Sequence, residues 1–123
     1  MTPARKTAAR SASRTPTAPD RGDVVWLEFD PSAGHEQAGR RPALVLSPRA
    51  YNQTIGLALV CPITSKAKGY PFEVPFPPTG QVKGVVLADH VKSLDWEARK
   101  AEAFTTAPAA VVTRVLDLLR KLL

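Results

Sequence analysis

The sequence predicts a mainly β domain, a small and strongly bent antiparallel sheet or barrel, with one helix at its C-terminal end. Short apolar runs recur between turn residues at intervals of about ten residues, the spacing of strands joined by short connections. They do not alternate with helical patterns, so parallel βαβ units are not indicated. Only beyond Pro108 does the apolar period become that of a helix.

"DVVWLEFD" (23–30) reads as the first strand, with Val25, Leu27 and Phe29 on one face and Trp26 and Glu28 on the other. "PALVLSP" (42–48) and "GLALVCPI" (56–63) are near-continuous apolar runs bounded by turn residues, as expected of strands buried on both faces. "YPFEVPF" (70–76) alternates, but Pro71 and Pro75 have no N–H for a ladder and move it to a sheet edge. "PPTGQVKG" (77–84) is a turn, and "VVLADHVKSLDW" (85–96) is a further strand with a polar bend in its middle. Pro108 suits the first turn of a helix, with Thr106 as its N-cap. Val111 or Val112, Val115, Leu118 or Leu119, and Leu122 then recur at helical spacing, with Arg114, Asp117, Arg120 and Lys121 on the far side. Such an amphipathic helix closes the core.

The 123 residues suffice for one domain, expected over residues 21–123. A domain of this size buries roughly two-thirds of its unfolded surface and needs neither disulfide nor structural metal. Residues 1–20 are expected to form a disordered basic tail, because Ala, Ser, Thr, Pro and Arg cannot bury enough surface to offset chain entropy. Of the net charge of +6, +4 belongs to residues 1–21, where five basic side chains face Asp20 alone. The remainder carries only +2, so any claim of nucleic-acid binding must rest on local clustering. No apolar run approaches the ~18 residues that span a bilayer, and the N-terminal segment has no signal-peptide core. The single cysteine, Cys61, lies inside an apolar run and fits a small buried hydrophobe better than a nucleophile. A lone cysteine also suits a reducing cytoplasm, the expected location, with no membrane contact.

The segment "GHEQAGRRPALVLSP" (34–48) carries the densest chemistry. A charged turn between strands is an ordinary reading of it. Two features favour a site. Arg41 precedes Pro42, which holds its backbone extended and fixes the direction of a guanidinium at the start of a buried strand. Glu36 lies five residues upstream in a loop short enough to fold back, where the two groups form either a salt bridge or an acid–base pair.

"RGDVVWLEFDPSAGHEQAGRRPALVLSP", "YNQTIGLALVCPITSKAKGYPFEV" and "GVVLADHVKSLDW", with the C-terminal helix, resemble the MazF/PemK toxins, messenger-RNA endoribonucleases of type II toxin–antitoxin systems. The likeness spans roughly residues 21–122. It implies the SH3-like barrel with a helix shared by the MazF, Kid and CcdB toxins, a homodimer, and a MazE-like antitoxin covering the RNA groove. It also implies metal-independent and cofactor-free cleavage of single-stranded mRNA, in which the substrate's 2′-hydroxyl attacks the adjacent phosphate. The sequence has no His/Asp/Glu cluster at metal-ligand spacing.

Residue by residue, Arg41 matches the arginine of the family's "RP" pair, Thr64 a threonine at the scissile phosphate, and Glu36 a glutamate needed for activity. A guanidinium can grip phosphate oxygens in a fork, and its pKa above ~12 favours charge stabilisation over proton donation. Glu36 serves as the base or orients Arg41. Thr64 alone also reads as a strand-end hydroxyl capping a turn. His35 and Asp89 match a PemK-type set, but Leu87 stands where that set has an arginine, which favours the Arg41/Thr64/Glu36 arrangement. His35, Gln37, Arg40, Ser65, Lys66, Lys68 and Asp89 are the expected RNA contacts, with Arg49 adding to a basic groove. Tyr70 and Trp96 are candidate base-stacking platforms, and Trp26 an interface or core residue. His90 stands where a glutamine is common and reads as a surface residue or a determinant of base preference. Two other readings stay open: a toxin of the same fold that binds DNA gyrase without catalysis, and an inactive relative that only binds RNA or antitoxin.

Overall fold

The computed structural model describes residues 17–29, 39–78 and 80–123. Seven strands and two helices follow one another: β1 (Asp23–Glu28), β2 (Arg40–Val45), α1 (Arg49–Ile55), β3 (Leu57–Thr64), β4 (Glu73–Pro75), β5 (Val85–Leu87), β6 (Lys92–Asp95), β7 (Glu102–Thr106) and α2 (Ala109–Arg120). All described pairings are antiparallel, in the spatial order β4-β5-β3-β2-β1-β7, with β6 also paired to β3. The path begins at β4 and ends at β7 without closing. The strongly bent, mainly antiparallel sheet with a C-terminal helix is the architecture the sequence predicts.

The two apolar runs explain the thickness of the molecule. Along β2 and its extension, Ala43 and Val45 point to one side, and Leu44 and Leu46 to the other. On β3, Ala58 and Val60 oppose Cys61 and Ile63 in the same way. One side is covered by α2 through Val111, Val115 and Leu118, spaced one helical turn apart. The other side holds Val25, Leu27 and Trp96. Each such buried side chain contributes roughly 1.5–3 kcal/mol, against ~0–1 for an exposed ion pair such as Arg120–Asp117. The two apolar clusters therefore hold the sheet, and surface charge does not. Cys61 belongs to the α2 side, and burial pushes its thiol up to about 12, so it stays protonated at neutral pH.

The 85–96 segment bends as expected. β5 pairs with the C-terminal end of β3 and β6 with its N-terminal half, with residues 88–90 turning between them. The proline-containing β4 is three residues long and lies at the sheet edge. Several expectations are corrected. Thr106 does not cap α2: it ends β7, and Pro108 occupies the N-cap position without a side-chain hydrogen bond. Trp96 cannot stack on a base, because its ring is buried and its indole N–H donates to the Asn52 carbonyl at 2.9 Å. Leu122 remains exposed beyond the end of α2. Helix α1 and strand β7 were not expected at all.

The packed chain also begins ahead of Gly22. Ala18 and Pro19 are buried. The Ala18 N–H donates to Gln53 Oε1, and the Ala18 carbonyl accepts from Arg49 Nε. The Asp20 carboxylate accepts the Arg49 and Arg21 backbone N–H groups, which lower its pKa. Residues 1–16, where the rest of the tail is expected, lie outside the described residues. Asn52 ties this segment down. It is fully buried, and its Nδ2 donates to the Pro19 and Ser47 carbonyls. Its Oδ1 accepts the Ser47 hydroxyl at 2.5 Å, while Ser47 Oγ accepts the Leu59 N–H. Asn52→Leu strands these groups, each costing about 1–3 kcal/mol when left unpaired in the interior. The expected result is a loss of roughly 3 kcal/mol in urea unfolding; a change below about 0.5 would show that the network is not a stabilising node.

Candidate active site

One register builds the site. β2 and β3 pair through Val45↔Val60, Leu44↔Cys61 and Ala43↔Pro62. Residues opposite one another in an antiparallel pair share a face. Continued by two residues, the same register sets Arg41 opposite Thr64, on the side of Ala43 and Val45. On its other edge β2 pairs with β1, where Leu27 faces Arg41. The ladder itself ends at Ala43↔Pro62, so Arg41 and Thr64 lie just past it, towards the same end of the sheet, at the rim of the cluster that contains Leu27 and Val45. Arg41 is exposed, and among the described residues it has no carboxylate partner.

Thr64 is half-buried, and its Oγ1 accepts the Lys66 N–H at 3.1 Å. The turn-capping reading of this threonine therefore holds locally. It leaves the hydroxyl hydrogen available to a ligand oxygen, since a hydroxyl both accepts and donates. From the other side Thr64 pairs with Val85, the first residue of β5. The preceding residue, Gly84, has φ +110°, and a Cβ there would stand 2.1 Å from the Thr64 carbonyl oxygen. Only glycine lets the chain pass so close, so Gly84 sets the position of Thr64. Sequence reading placed Gly84 merely in a turn; its signal was a glycine directly before a buried strand.

The loop after Thr64 is held by Glu73. Its carboxylate accepts the backbone N–H groups of Lys68 and Gly69 at 3.0–3.2 Å. Ser65, Lys66, Lys68 and Tyr70 are exposed on this loop. Asp89 and His90 occupy the turn between β5 and β6, with His90 Nε2 3.8 Å from Asp89 Oδ1. Glu36, His35 and Gln37 lie outside the described residues.

The adjacent arginines separate. Arg40 alternates to the face opposite Arg41. Its Nη2 donates to the Lys100 carbonyl at 2.7 Å, the Trp26 carbonyl at 3.3 Å and Glu102 Oε1 at 3.4 Å. Glu28 lies 3.9 Å from its Nη1. Arg40 thus binds β2 to β1 and β7, and does not line the Arg41 side. Next to it Trp26 is 37 % exposed and stacks on Phe104 with ring centroids 4.8 Å apart. Arg49 is likewise engaged away from Arg41, at the start of α1, by the Ala18 carbonyl and Asp20. Among the described residues no three His, Cys, Asp or Glu side chains are placed to hold a metal ion, and no helix is long and apolar enough to cross a membrane.

Residues 20–123 match the family model described as PemK-like, MazF-like toxin of type II toxin–antitoxin system. The endoribonuclease toxin MazF of Escherichia coli (strain K12) is 54 % identical over 92 residues, covering 73 % of this chain and 81 % of that protein. The endoribonuclease toxin ChpB of the same organism is 46 % identical over 102 residues, covering 79 % and 87 %. Among solved structures, a MazE–MazF crystal structure from Deinococcus radiodurans superposes with a TM-score of 0.81 at 60 % identity, covering 85 % of this chain and 95 % of that one.

Proposed function

The chain belongs to the PemK-like, MazF-like toxin family of type II toxin–antitoxin systems, and from that membership we propose that it is a sequence-specific endoribonuclease acting on single-stranded mRNA. The observation that supports the reading is the β2–β3 register, which runs to Ala43↔Pro62 and, continued by two residues, carries Arg41 towards Thr64 at one exposed end of the sheet. Relatives named endoribonucleases over most of their length support it.

The reaction is an internal transfer. The ribose O2′ attacks phosphorus, the P–O5′ bond breaks, and the products end in a 2′,3′-cyclic phosphate and a 5′-hydroxyl. A base takes the O2′ proton and an acid returns one to O5′. Glu36 is assigned as the base or as the group that orients Arg41. Charge accumulates on the non-bridging oxygens as the fifth bond forms. A guanidinium meets two such oxygens with parallel N–H donors, and the Thr64 hydroxyl supplies a third donor. Both stand on strand backbone that is in place before substrate arrives, so it is the exposed Arg41 side chain that has to settle on the phosphate. Ser65, Lys66 and Lys68 follow Thr64 directly and suit phosphates of the same strand, with Tyr70 as a stacking surface. Asp89, together with His35 and Gln37, is assigned to substrate contact.

A MazE-like antitoxin is the proposed restraint, supported by the likeness to the MazE–MazF crystal structure from Deinococcus radiodurans. The toxin is proposed to act in the cytoplasm, where mRNA is. We assign the chain a homodimeric state, as its resemblance to the family implies. Light scattering that gives the mass of a single chain at micromolar concentration removes that assignment.

The activity is tested by incubating the protein with long single-stranded RNA in EDTA and mapping the ends. Cuts at one short sequence, leaving cyclic phosphate and 5′-hydroxyl termini, are expected. Intact RNA with inhibited gyrase means a non-catalytic toxin, and intact RNA with no effect on gyrase means an inactive relative.

A further inference from the structure

The Arg41–Thr64 end of the sheet has a second cation that sequence reading did not select. β6 pairs with β3 through Val60↔Lys92 and Ala58↔Leu94. Leu94, Val60 and Ala58 all pack into the cluster beneath Arg41, so Lys92 is directed to the same face. β6 starts opposite Val60, four residues short of Thr64, with its Lys92 end nearer than its Asp95 end to the rim where β1 and β3 finish. The sheet curls there. In the pairing order β6 is separated from β1 by β3 and β2, yet Lys92 Nζ lies 5.9 Å from the centroid of the Phe29 ring. Phe29 continues the face of Val25 and Leu27 just past the end of β1. Lys92 therefore reaches over the concave side that Arg41 and Thr64 border. It is exposed, and no carboxylate of a described residue pairs with it.

We infer that Lys92 binds a backbone phosphate of the RNA next to the one held by Arg41, so that the strand lies across the concave end of the sheet between two cations. This rests on the ribonuclease reading of the Arg41 end. An ammonium at 5.9 Å from a ring is near the limit of a cation–π contact, and it exchanges readily for a phosphate oxygen. Lysine is suited to that task because it acts as a point charge on a flexible stem, whereas the guanidinium of Arg41 makes a directed fork. Lys92 is a binding residue in this scheme and takes no part in proton transfer.

Each phosphate neutralised on a single strand adds about 0.7 to the slope of log K against log salt. The test measures that slope with an RNA made uncleavable by 2′-deoxy substitution at the cut position, for the wild type, Lys92→Gln and Lys92→Arg. Lys92→Gln is expected to lower the slope by about 0.7, and Lys92→Arg to restore it. On cleavable RNA, KM of Lys92→Gln rises by more than kcat falls. An unchanged slope in Lys92→Gln overturns the inference. So does a fall in kcat at constant KM, which would make Lys92 part of the transition state. Arg41→Ala is run beside these variants. If it cuts normally, the site itself is misplaced; if it is inactive while the Lys92 slope is unchanged, only the inference about Lys92 fails.

Discussion

Arg41→Ala is expected to lower kcat on a cleavable RNA by about 10²- to 10³-fold, the range for losing one preorganised donor to developing negative charge. The side chain is exposed, and the backbone pairing Leu27↔Arg41 does not depend on it. The far-ultraviolet circular dichroism and the urea midpoint are therefore expected to match the wild type, which separates a chemical loss from a folding loss. Arg41→Lys tests the geometry. It keeps the charge but removes the paired N–H donors, so an intermediate rate is expected. A rate near the wild type in Arg41→Ala would mean that phosphate is held elsewhere.

Gly84→Ala is expected to damage stability and rate together. The added Cβ would meet the Thr64 carbonyl oxygen at 2.1 Å, and the Thr64 carbonyl carbon and Ser65 Cα at 2.8 Å, all of them backbone atoms that cannot swing aside. Strained φ and overpacking each cost roughly 1–3 kcal/mol, so a loss of about 2–5 kcal/mol is expected from denaturant unfolding. Relief comes only by separating β5 from Thr64, or by moving Thr64 itself. Displacing a positioned group by about 1 Å can cost 10²-fold in rate, so the folded fraction of Gly84→Ala is expected to cut slowly. Gly80→Ala is the control, because nothing lies closer than 3.9 Å to a Cβ at that position. Equal stability of the two variants would refute the tight passage at Gly84.

What was legible in the sequence follows from what each residue buries. The runs 42–48 and 56–63 announced strands covered on both sides because two faces of the sheet receive side chains there. Helix α1 left no such trace: of Arg49–Ile55 only Asn52 is buried, so no apolar period exists to read. Strand β7 was hidden for a related reason. It pairs only with β1 at the sheet edge and offers Phe104 as its one large apolar residue. Trp96 was misread because an aromatic next to charged residues looks exposed, whereas its indole N–H has a partner inside the protein. At the proposed site, residue types were legible but adjacency was not. Arg41 and Thr64 lie 23 positions apart, and only the pairing of β2 with β3, which ends two residues short of them, carries them towards one end of the sheet. Lys92 escaped because its inward direction depends on Leu94, whose burial is a property of the curled sheet.

Ala43 to Leu46 are four consecutive interior residues, so β2 has no alternation of wet and dry positions to tell it which way up to lie. A lengthwise shift of one step would reverse every side chain of such a strand, exchanging one buried apolar residue for another. The clasp of Arg40 on Lys100, Trp26 and Glu102 gives the strand its orientation mark, for a shifted β2 would leave those acceptors empty. The doubled arginine is thus a key with two unlike teeth. One indexes the strand against its neighbours, and by doing so it sets the direction of the other, the proposed phosphate ligand.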